Sequence, residues 1–220
     1  MNIMTKSLIN VKESKRYPGY FVKKYDRSVF FKNLWDTDPA LTESRGHVYD
    51  ATGKLVVNAP TKIFNYMENG TTIDRNEVCL VVRKINGFLA CATYVPALKK
   101  VVVSTTGSLD SDFVTIAEKY LIGTASEYIE DTWDAAPVTF FFEICDPSDP
   151  HIIPEEFGAY LLGMRFVDDD SPYTSNSSRE CLFDMIALRM DVKRPDWFQL
   201  RFSDAVELSK TCLLYTSDAA

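Results

Sequence analysis

Three β-type segments follow one another in the middle of the chain and constrain its fold more than any other feature. They cover residues 77–84, 88–94 and 99–104, and the turn-forming pairs Asn86-Gly87 and Pro96-Ala97 separate them. Apolar segments of this length, joined by such short turns, pair as antiparallel neighbours. The sequence therefore predicts an antiparallel sheet in this region.

Helical and further strand patterns surround these segments. Residues 110–128 repeat apolar side chains at helical spacing, Ser111 precedes them as a capping residue, and residues 195–211 have the same spacing. Residues 138–145 and 160–166 are predicted as strands, 47–57 as a hairpin turning at 50–54, and 67–76 and 168–178 as loops. Antiparallel strands with helices outside them predict an α+β fold.

Composition narrows the class of protein. The chain of 220 residues is 46% hydrophobic and 25% charged, which is typical of a globular protein. No apolar run approaches membrane-spanning length, and the start lacks the apolar centre of a signal peptide. Five cysteines without a Cys-x-x-Cys pair indicate reduced thiols and a cytoplasmic location. Two histidines exclude a multi-histidine metal site, and each is interpreted as structural.

Charge is distributed unevenly along the chain. The net charge of −7 argues against broad nonspecific affinity for nucleic acid. Residues 1–32 nevertheless contain eight basic and only two acidic side chains, with six aromatic residues among them: Tyr17, Tyr20, Phe21, Tyr25, Phe30 and Phe31. Two interpretations stay open at this point. The segment either holds phosphates and stacks bases, or it forms an edge strand whose lysines discourage aggregation.

The tetrapeptide Lys84-Ile85-Asn86-Gly87 follows the apolar run 78–82 and has two interpretations. Asn-Gly between apolar runs is a strong hairpin signal, with Lys84 then a surface residue. Alternatively, a lysine, any residue, Asp or Asn, then glycine is how one group of enzymes presents a lysine amine to the α-phosphate of a nucleotide. Gly87 would allow a close backbone approach to the ligand, and Asn86 would tolerate unusual dihedrals.

Several short motifs then occur in a fixed order. They are Glu43-Ser44-Arg45-Gly46, Lys62-Ile63-Phe64-Asn65-Tyr66, Lys84-Ile85-Asn86-Gly87, Thr106-Gly107-Ser108, Phe142-Glu143, Asp146-Pro147 and Tyr160-Leu161-Leu162-Gly163-Met164-Arg165. Together they resemble the adenylyltransferase domain of the phage-type RNA ligase 1 family, from about Tyr17 to about Lys210. The resemblance implies a nucleotidyltransferase fold, in which antiparallel sheets with flanking helices surround a nucleotide pocket.

The resemblance implies ATP-dependent joining of RNA ends in three steps. A lysine takes AMP from ATP and releases pyrophosphate, the AMP passes to an RNA 5′-phosphate, and an RNA 3′-hydroxyl then displaces it. Lys84 matches the nucleophile, and Gly87 belongs to the same ATP-binding motif. The implied cofactors are ATP and Mg²⁺. The implied partners are RNA ends, with nicked transfer RNA as one candidate, and neither a membrane nor a protein partner. A phage protein would act in the host cytoplasm.

Other residues are assigned to the nucleotide pocket by the same resemblance. Arg45 and Lys62 match basic residues near the phosphates, Phe64 matches an aromatic residue of the pocket, and Tyr25 matches an upstream tyrosine. Glu143 matches an acidic residue that holds the ribose or assists the metal. We expect Arg45, Lys62, Phe64, Lys84 and Glu143 to converge on one concave pocket.

Elementary chemistry sets conditions on two of these residues. A free lysine has a pKa of about 10.4, and lowering it by about 3 units requires roughly 4 kcal/mol of destabilisation of the charged form. Burial and the neighbours Arg45, Lys62 and Arg83 are expected to supply it. A carboxylate at Glu143, within an otherwise apolar strand, is costly unless it faces a polar site. The alternative is an outward-facing residue on a half-exposed sheet.

The chain departs from the family pattern in three places. Thr106 stands where a lysine is often found, which puts one phosphate or RNA contact in doubt, and Phe88 stands where a small polar residue is usual. The family also has a Glu-Gly motif and then a strand with paired lysines downstream of the helix near Pro195, and this chain is expected to be a truncated domain that stops before both. The domain is assigned to residues 1–211, and residues 212–220 resemble a translated sequencing adapter. We therefore expect this chain, as written, not to seal RNA.

Two alternatives remain open on the sequence. A DNA ligase or an RNA-capping guanylyltransferase would share the Lys84 step and differ in the nucleotide base and the polymer. A non-catalytic nucleotide- or RNA-binding module would share the fold alone. Transfer of label from α-labelled ATP, compared with GTP, distinguishes the three.

Overall fold

The computed structural model describes residues 7–169 and 175–211, and its first element is a four-stranded antiparallel sheet. The order is β1-β2-β3-β4, formed by Ile9–Glu13, Phe21–Tyr25, Arg45–Tyr49 and Leu55–Val57. Between β2 and β3 lie two short helices, α1 (Arg27–Phe31) and α2 (Ala40–Glu43), and a 3-10 turn at Trp35–Thr37. Strand β1 is an edge strand, whereas β2 is internal.

A second antiparallel sheet forms the centre of the molecule. Its order is β7-β6-β8-β9, and its strands are β6 (Phe88–Val95), β7 (Lys100–Thr105), β8 (Val138–Cys145) and β9 (Gly158–Phe166). A third, two-stranded sheet pairs β5 (Val78–Val82) with β10 (Trp197–Arg201). The remaining helices are α3 (Asp112–Leu121), α4 (Thr124–Trp133), α5 (Ser177–Met190) and α6 (Phe202–Thr211).

The central sheet is buried on both faces because successive side chains of a strand point to opposite sides. Cys91 and Phe141 pack with Val48 of the first sheet. Their neighbours on the other face, such as Ala92 and Phe142, pack in a cluster that includes residues of α3, α4 and α5. The molecule therefore has three layers, sheet on sheet on helices, and the predicted α+β class is confirmed.

The strands predicted in the middle of the chain are confirmed, but the predicted hairpin at Asn86-Gly87 is wrong. Strand β5 pairs with β10, while β6 pairs with β7 and β8. Residues 83–87 are consequently a crossover between two sheets. The hairpin signal is local, whereas the choice of strand partner is decided by segments more than a hundred residues away.

Two helix predictions need correction. The helix expected over 110–128 is two helices, α3 and α4, because Gly123 takes φ +129° and interrupts the helical path. Ser111 lies at the N-cap of α3 but makes no side-chain capping bond. The segment 195–211 begins with strand β10 and becomes helical only at Phe202. Helix α5 was not predicted and begins within the expected loop 168–178.

Several sequence interpretations lie outside the described residues. These are the adapter-like tail at 212–220, the part of the loop at 170–174 and the first six residues of the basic segment. Within the described part of the chain, no helix is long and apolar enough to cross a membrane.

Candidate functional site

The loop carrying Lys84 is joined to β8 by a backbone hydrogen bond. Gly87 donates its N–H to Glu143 Oε1 over 3.0 Å. A Cβ atom at position 87 would lie 2.2 Å from the Ile144 carbonyl oxygen, so only glycine fits here. Glycine is therefore required at position 87 by the close approach of the backbone of strand β8. Glu143 faces the first sheet together with Phe141, which lies two residues before it on the same face.

A second carboxylate, Glu155, holds the same loop from the other side. Its Oε1 accepts the Asn86 N–H at 3.3 Å and the Asn86 Nδ2–H at 3.0 Å, and its Oε2 lies 2.7 Å from Arg83 Nη2. The Glu155 side chain is only 2% exposed. Asn86 has no positive φ, so the role expected from its tolerance of unusual dihedrals is wrong; its side chain instead anchors the loop.

Ile85 completes the fixation of this loop. It is buried in a small cluster with Cys145 and Tyr160, while its neighbour Lys84 is exposed. Buried Ile85 and the buried carboxylate of Glu155 thus hold the loop, while Lys84 itself is exposed. The burial expected for Lys84 is not observed.

The electrostatics of Glu143 link residues that are distant in sequence. Burial raises the pKa of Glu143 to about 7, against the opposing effects of the Gly87 N–H and of the charges of Lys84, His151 and Arg45. Lys84 and Arg45 therefore both lie within electrostatic reach of this carboxylate. Near neutral pH, Glu143 is poised so that an arriving cation would ionise it.

Arg45 is positioned through its neighbour Gly46. Gly46 has φ +106°, and a Cβ atom there would lie 2.9 Å from Thr106 Cα, so two of the sequence motifs are in direct backbone contact. Lys24 packs against Gly107, the residue after Thr106. A Cβ atom at Gly107 would be 3.0 Å from Lys24 Cδ and 3.3 Å from its Nζ. A cation from β2 thus reaches the loop that carries Thr106.

An ion pair between buried Arg165 and partly exposed Glu43 joins the segments that carry Arg45 and Lys62. Arg165 Nη1 donates to Glu43 Oε2 at 2.9 Å and to the Ala59 carbonyl at 3.2 Å, and Thr61 Oγ1 donates to Glu43 Oε1 at 2.8 Å. Burial acts to raise the pKa of Glu43, but hydrogen bonds from His47, Arg165 and Thr61 outweigh it and lower this pKa to about 2. Glu43 is therefore ionised throughout the neutral range.

Tyr25, Trp35 and Phe64 form an aromatic cluster beside Lys62. The ring of Trp35 lies 4.9 Å from Tyr25 and 5.5 Å from Phe64, edge to face in both cases. Lys62 Nζ lies 4.8 Å from the centre of the Phe64 ring. Burial lowers the pKa of Lys62, with Glu68 opposing this shift and Arg45 adding to it. The charges of Lys62 and Arg45 thus repel each other, and an anion bound between them would relieve this repulsion.

Two open cavities divide the predicted site residues between them. A cavity of about 280 Å³ is lined by Lys24, Tyr25, Arg27, Phe30, Phe31, Arg45 and Lys62. A second cavity of about 480 Å³ lies between β5, β10 and α6, and Lys84 lines it together with Val82, Phe198 and Leu208. Among the described residues, Phe64, Gly87 and Glu143 line neither cavity. Arg45 and Lys62 share one of these cavities with Tyr25, and Lys84 lines the other, so the expected convergence of the site residues on one concave pocket is not observed.

Sequence reasoning missed three residues of this region. Trp35 organises the aromatic cluster, Lys24 reaches the Thr106 loop, and Glu155 anchors the Lys84 loop. The basic and aromatic composition of residues 1–32 was a signal for Lys24. No local pattern distinguishes Glu155 from its exposed neighbour Glu156, because only the tertiary contact with Asn86 does so.

The carboxylates do not form a metal cage within residues 7–169 and 175–211, where no cluster of three or more His, Cys, Asp or Glu side chains has the arrangement of a metal site. Mg²⁺ commonly uses one or two carboxylates together with substrate phosphates and water. Glu143 is a single carboxylate within electrostatic reach of Lys84, His151 and Arg45.

A scan against protein-family models and a search of curated proteins both returned no match for this chain.

Proposed function

We propose that the protein is a nucleotidyltransferase of the RNA ligase type, which binds ATP beside Glu143 and accepts AMP on Lys84. The observation that carries this proposal is the 3.0 Å bond from Gly87 N–H to Glu143, with Lys84 and Arg45 in electrostatic reach of the same carboxylate. Arg45 and Glu143 lie far apart in sequence. Their closeness to the Lys84 loop supports the proposal, because all three belong to motifs on which the resemblance rests.

In the proposed reaction, the Lys84 amine attacks the α-phosphorus of ATP. A nitrogen–phosphorus bond forms, the bond from phosphorus to the pyrophosphate oxygen breaks, and the amine gives up a proton. Arg45 and Lys62 would neutralise the phosphates. The aromatic cluster of Tyr25, Trp35 and Phe64 would pack against Lys62 and hold its position. An RNA 5′-phosphate would then take the AMP, and a 3′-hydroxyl would displace it.

The proposed role of Glu143 follows from its environment. A carboxylate with a raised pKa is partly protonated at neutral pH and can hydrogen-bond a ribose hydroxyl in either state. Magnesium brought in with ATP would neutralise phosphate charge and help stabilise the charge that develops at the α-phosphate. Uptake of a divalent cation beside Glu143 would favour its ionised form, so nucleotide binding should release protons near pH 7.

The test is covalent labelling with α-labelled ATP and magnesium. It uses the 220-residue chain. We expect label on Lys84, none on Lys84→Ala, and none on Lys84→Arg, because a guanidinium remains protonated and is a poor nucleophile. Lys54→Ala, which removes an exposed lysine in the β3–β4 turn, is the matched control.

The outcomes separate the alternatives. Label that survives either change at Lys84 contradicts the proposal. Transfer from GTP in preference to ATP would indicate a capping enzyme, and nucleotide binding without any covalent label would indicate a binding module.

A further inference from the structure

Helix α1 exposes two adjacent phenylalanines beside the smaller cavity. Phe30 is 41% exposed and Phe31 is 76% exposed, and their ring centres lie 5.5 Å apart in an edge-to-face arrangement. Both line the cavity that Arg45 and Lys62 also line. Adjacent large aromatic side chains that are exposed to solvent indicate a surface that binds another molecule.

Two cations accompany these rings. Lys24 and Arg27 line the same cavity, and within the described part of the chain no carboxylate lies within 4.0 Å of either charge. Their sequence neighbour Asp26 is engaged elsewhere, since it accepts the Ser28 N–H at 3.0 Å and the Ser28 hydroxyl at 2.7 Å. In a chain whose net charge is −7, this is a locally cationic surface with aromatic plates.

We propose that Lys24, Arg27, Phe30 and Phe31, here called the α1 face, bind single-stranded nucleic acid. Lys24 and Arg27 would hold successive phosphates, and Phe30 and Phe31 would stack against a base. The inference deepens the proposed function and rests on it in one respect: the cavity that the α1 face shares with Arg45 and Lys62 would deliver the strand end to the nucleotide site.

Charge and shape together favour this occupant. An acidic peptide would satisfy the cations and leave the aromatic rings without planar partners, whereas an apolar protein surface would leave the cations buried without counter-charges. A single strand supplies both phosphates and exposed base faces at short, regular spacing. The edge-strand interpretation of the basic segment does not account for the α1 face, because β2 is an internal strand and α1 lies beyond its end.

The test is fluorescence anisotropy of a 5′-phosphorylated, single-stranded 12-nucleotide RNA with the 220-residue chain, without ATP or magnesium. Two double variants are compared, Lys24→Gln with Arg27→Gln, and Phe30→Leu with Phe31→Leu. The cation variant should lower the slope of log affinity against log salt by about 1.4, from about 0.7 per phosphate contact. The aromatic variant should weaken binding about 5- to 150-fold and leave that slope unchanged.

Matched controls come from elsewhere on the surface. Lys54→Gln removes an exposed lysine of the β3–β4 turn, and Phe157→Leu alters an exposed phenylalanine that lines a cavity with Asp149 and Glu155. Both should bind the strand as the parent chain does. Urea unfolding of every variant establishes that the fold is retained, and any variant that does not fold is replaced by Arg27→Lys or Phe31→Tyr, for which a smaller loss of affinity is expected.

Several results would overturn the inference. They are unchanged affinity in either double variant, an equal loss in the controls, an equal loss of ATP affinity, or displacement of the strand by poly-glutamate as effectively as by unlabelled RNA. Lys84→Ala separates this inference from the proposed function. Strand binding that persists in Lys84→Ala supports the α1 face whether or not lysyl-AMP forms, and lysyl-AMP without strand binding contradicts the α1 face alone.

Discussion

Gly87 donates its backbone N–H to Glu143 over 3.0 Å, and this bond closes a separation of 56 residues along the chain. It places the Lys84 loop against strand β8, beside a carboxylate that Arg45 also influences. The contact is tight, because the Ile144 carbonyl occupies the space that a side chain at position 87 would need. A single backbone approach therefore joins the Lys84 loop to the central sheet.

Substitution of Gly87 should disturb this approach. In Gly87→Ala the added Cβ would meet backbone, which cannot yield as a flexible side chain does, and overpacking of this kind costs about 1–3 kcal/mol. We expect a loss of that size in the free energy of urea unfolding. Gly107→Ala is the control, because its nearest neighbour is the flexible end of Lys24 and its cost should be well below 1 kcal/mol. Equal losses in the two variants would contradict the steric argument.

Glu143 should make stability depend on pH. Its folded-state pKa of about 7 is raised above the usual 4.5, so the folded state binds more protons than the unfolded state between these values. The free energy of unfolding should therefore fall as pH rises from about 4.5 to about 7, by up to about 3 kcal/mol. Glu143→Gln should remove this fall and be the more stable protein at pH 8. Parallel urea curves at pH 5, 6, 7 and 8 measure it, and identical pH profiles would refute it.

Glu155 should hold the Lys84 loop more firmly than its neighbour does. Glu155→Ala removes the acceptor of three hydrogen bonds from Asn86 and Arg83, and a hydrogen bond to a charged group contributes a net of about 1.5–3 kcal/mol. We expect a loss of at least about 2 kcal/mol in stability and faster amide exchange at Asn86. Glu156→Ala, whose side chain is 82% exposed, should change neither quantity. Unchanged exchange at Asn86 in Glu155→Ala would contradict the anchoring role.

Arg165 should stabilise the protein through its ion pair with Glu43. Arg165→Met leaves Glu43 without its buried partner, and because Glu43 is 37% exposed we expect a loss of about 2 kcal/mol, less than for a fully buried pair. The lowered pKa of Glu43 means that its contribution is present above pH 4.5 and disappears as pH falls through about 2.

The matched comparison for Arg165 is Glu43→Gln. Its stability deficit against the parent chain should shrink between pH 4.5 and pH 2, and the combination with Arg165→Met should cost less than the sum of the single changes. Fully additive losses would show that the two residues act independently.

Part of the architecture could be predicted because its signals are local. The apolar runs at 138–145 and 88–94 are a property of neighbouring residues, and both segments form strands of the central sheet. The position of Glu143 within an apolar strand is visible for the same reason. The helix over 110–128 was only partly predictable, because its periodicity continues through Gly123 while the backbone does not.

The sequence by itself determined where most strands lie, that the fold is α+β, and which residue types could serve a nucleotide, because these follow from local periodicity and side-chain chemistry. Only the tertiary structure decided that β5 pairs with β10, that Asn86 is held by Glu155, and that Lys84 lies in a different cavity from Arg45 and Lys62. The physical reason is that pairing and burial depend on contacts between segments far apart in the chain, and no short window of sequence contains both partners.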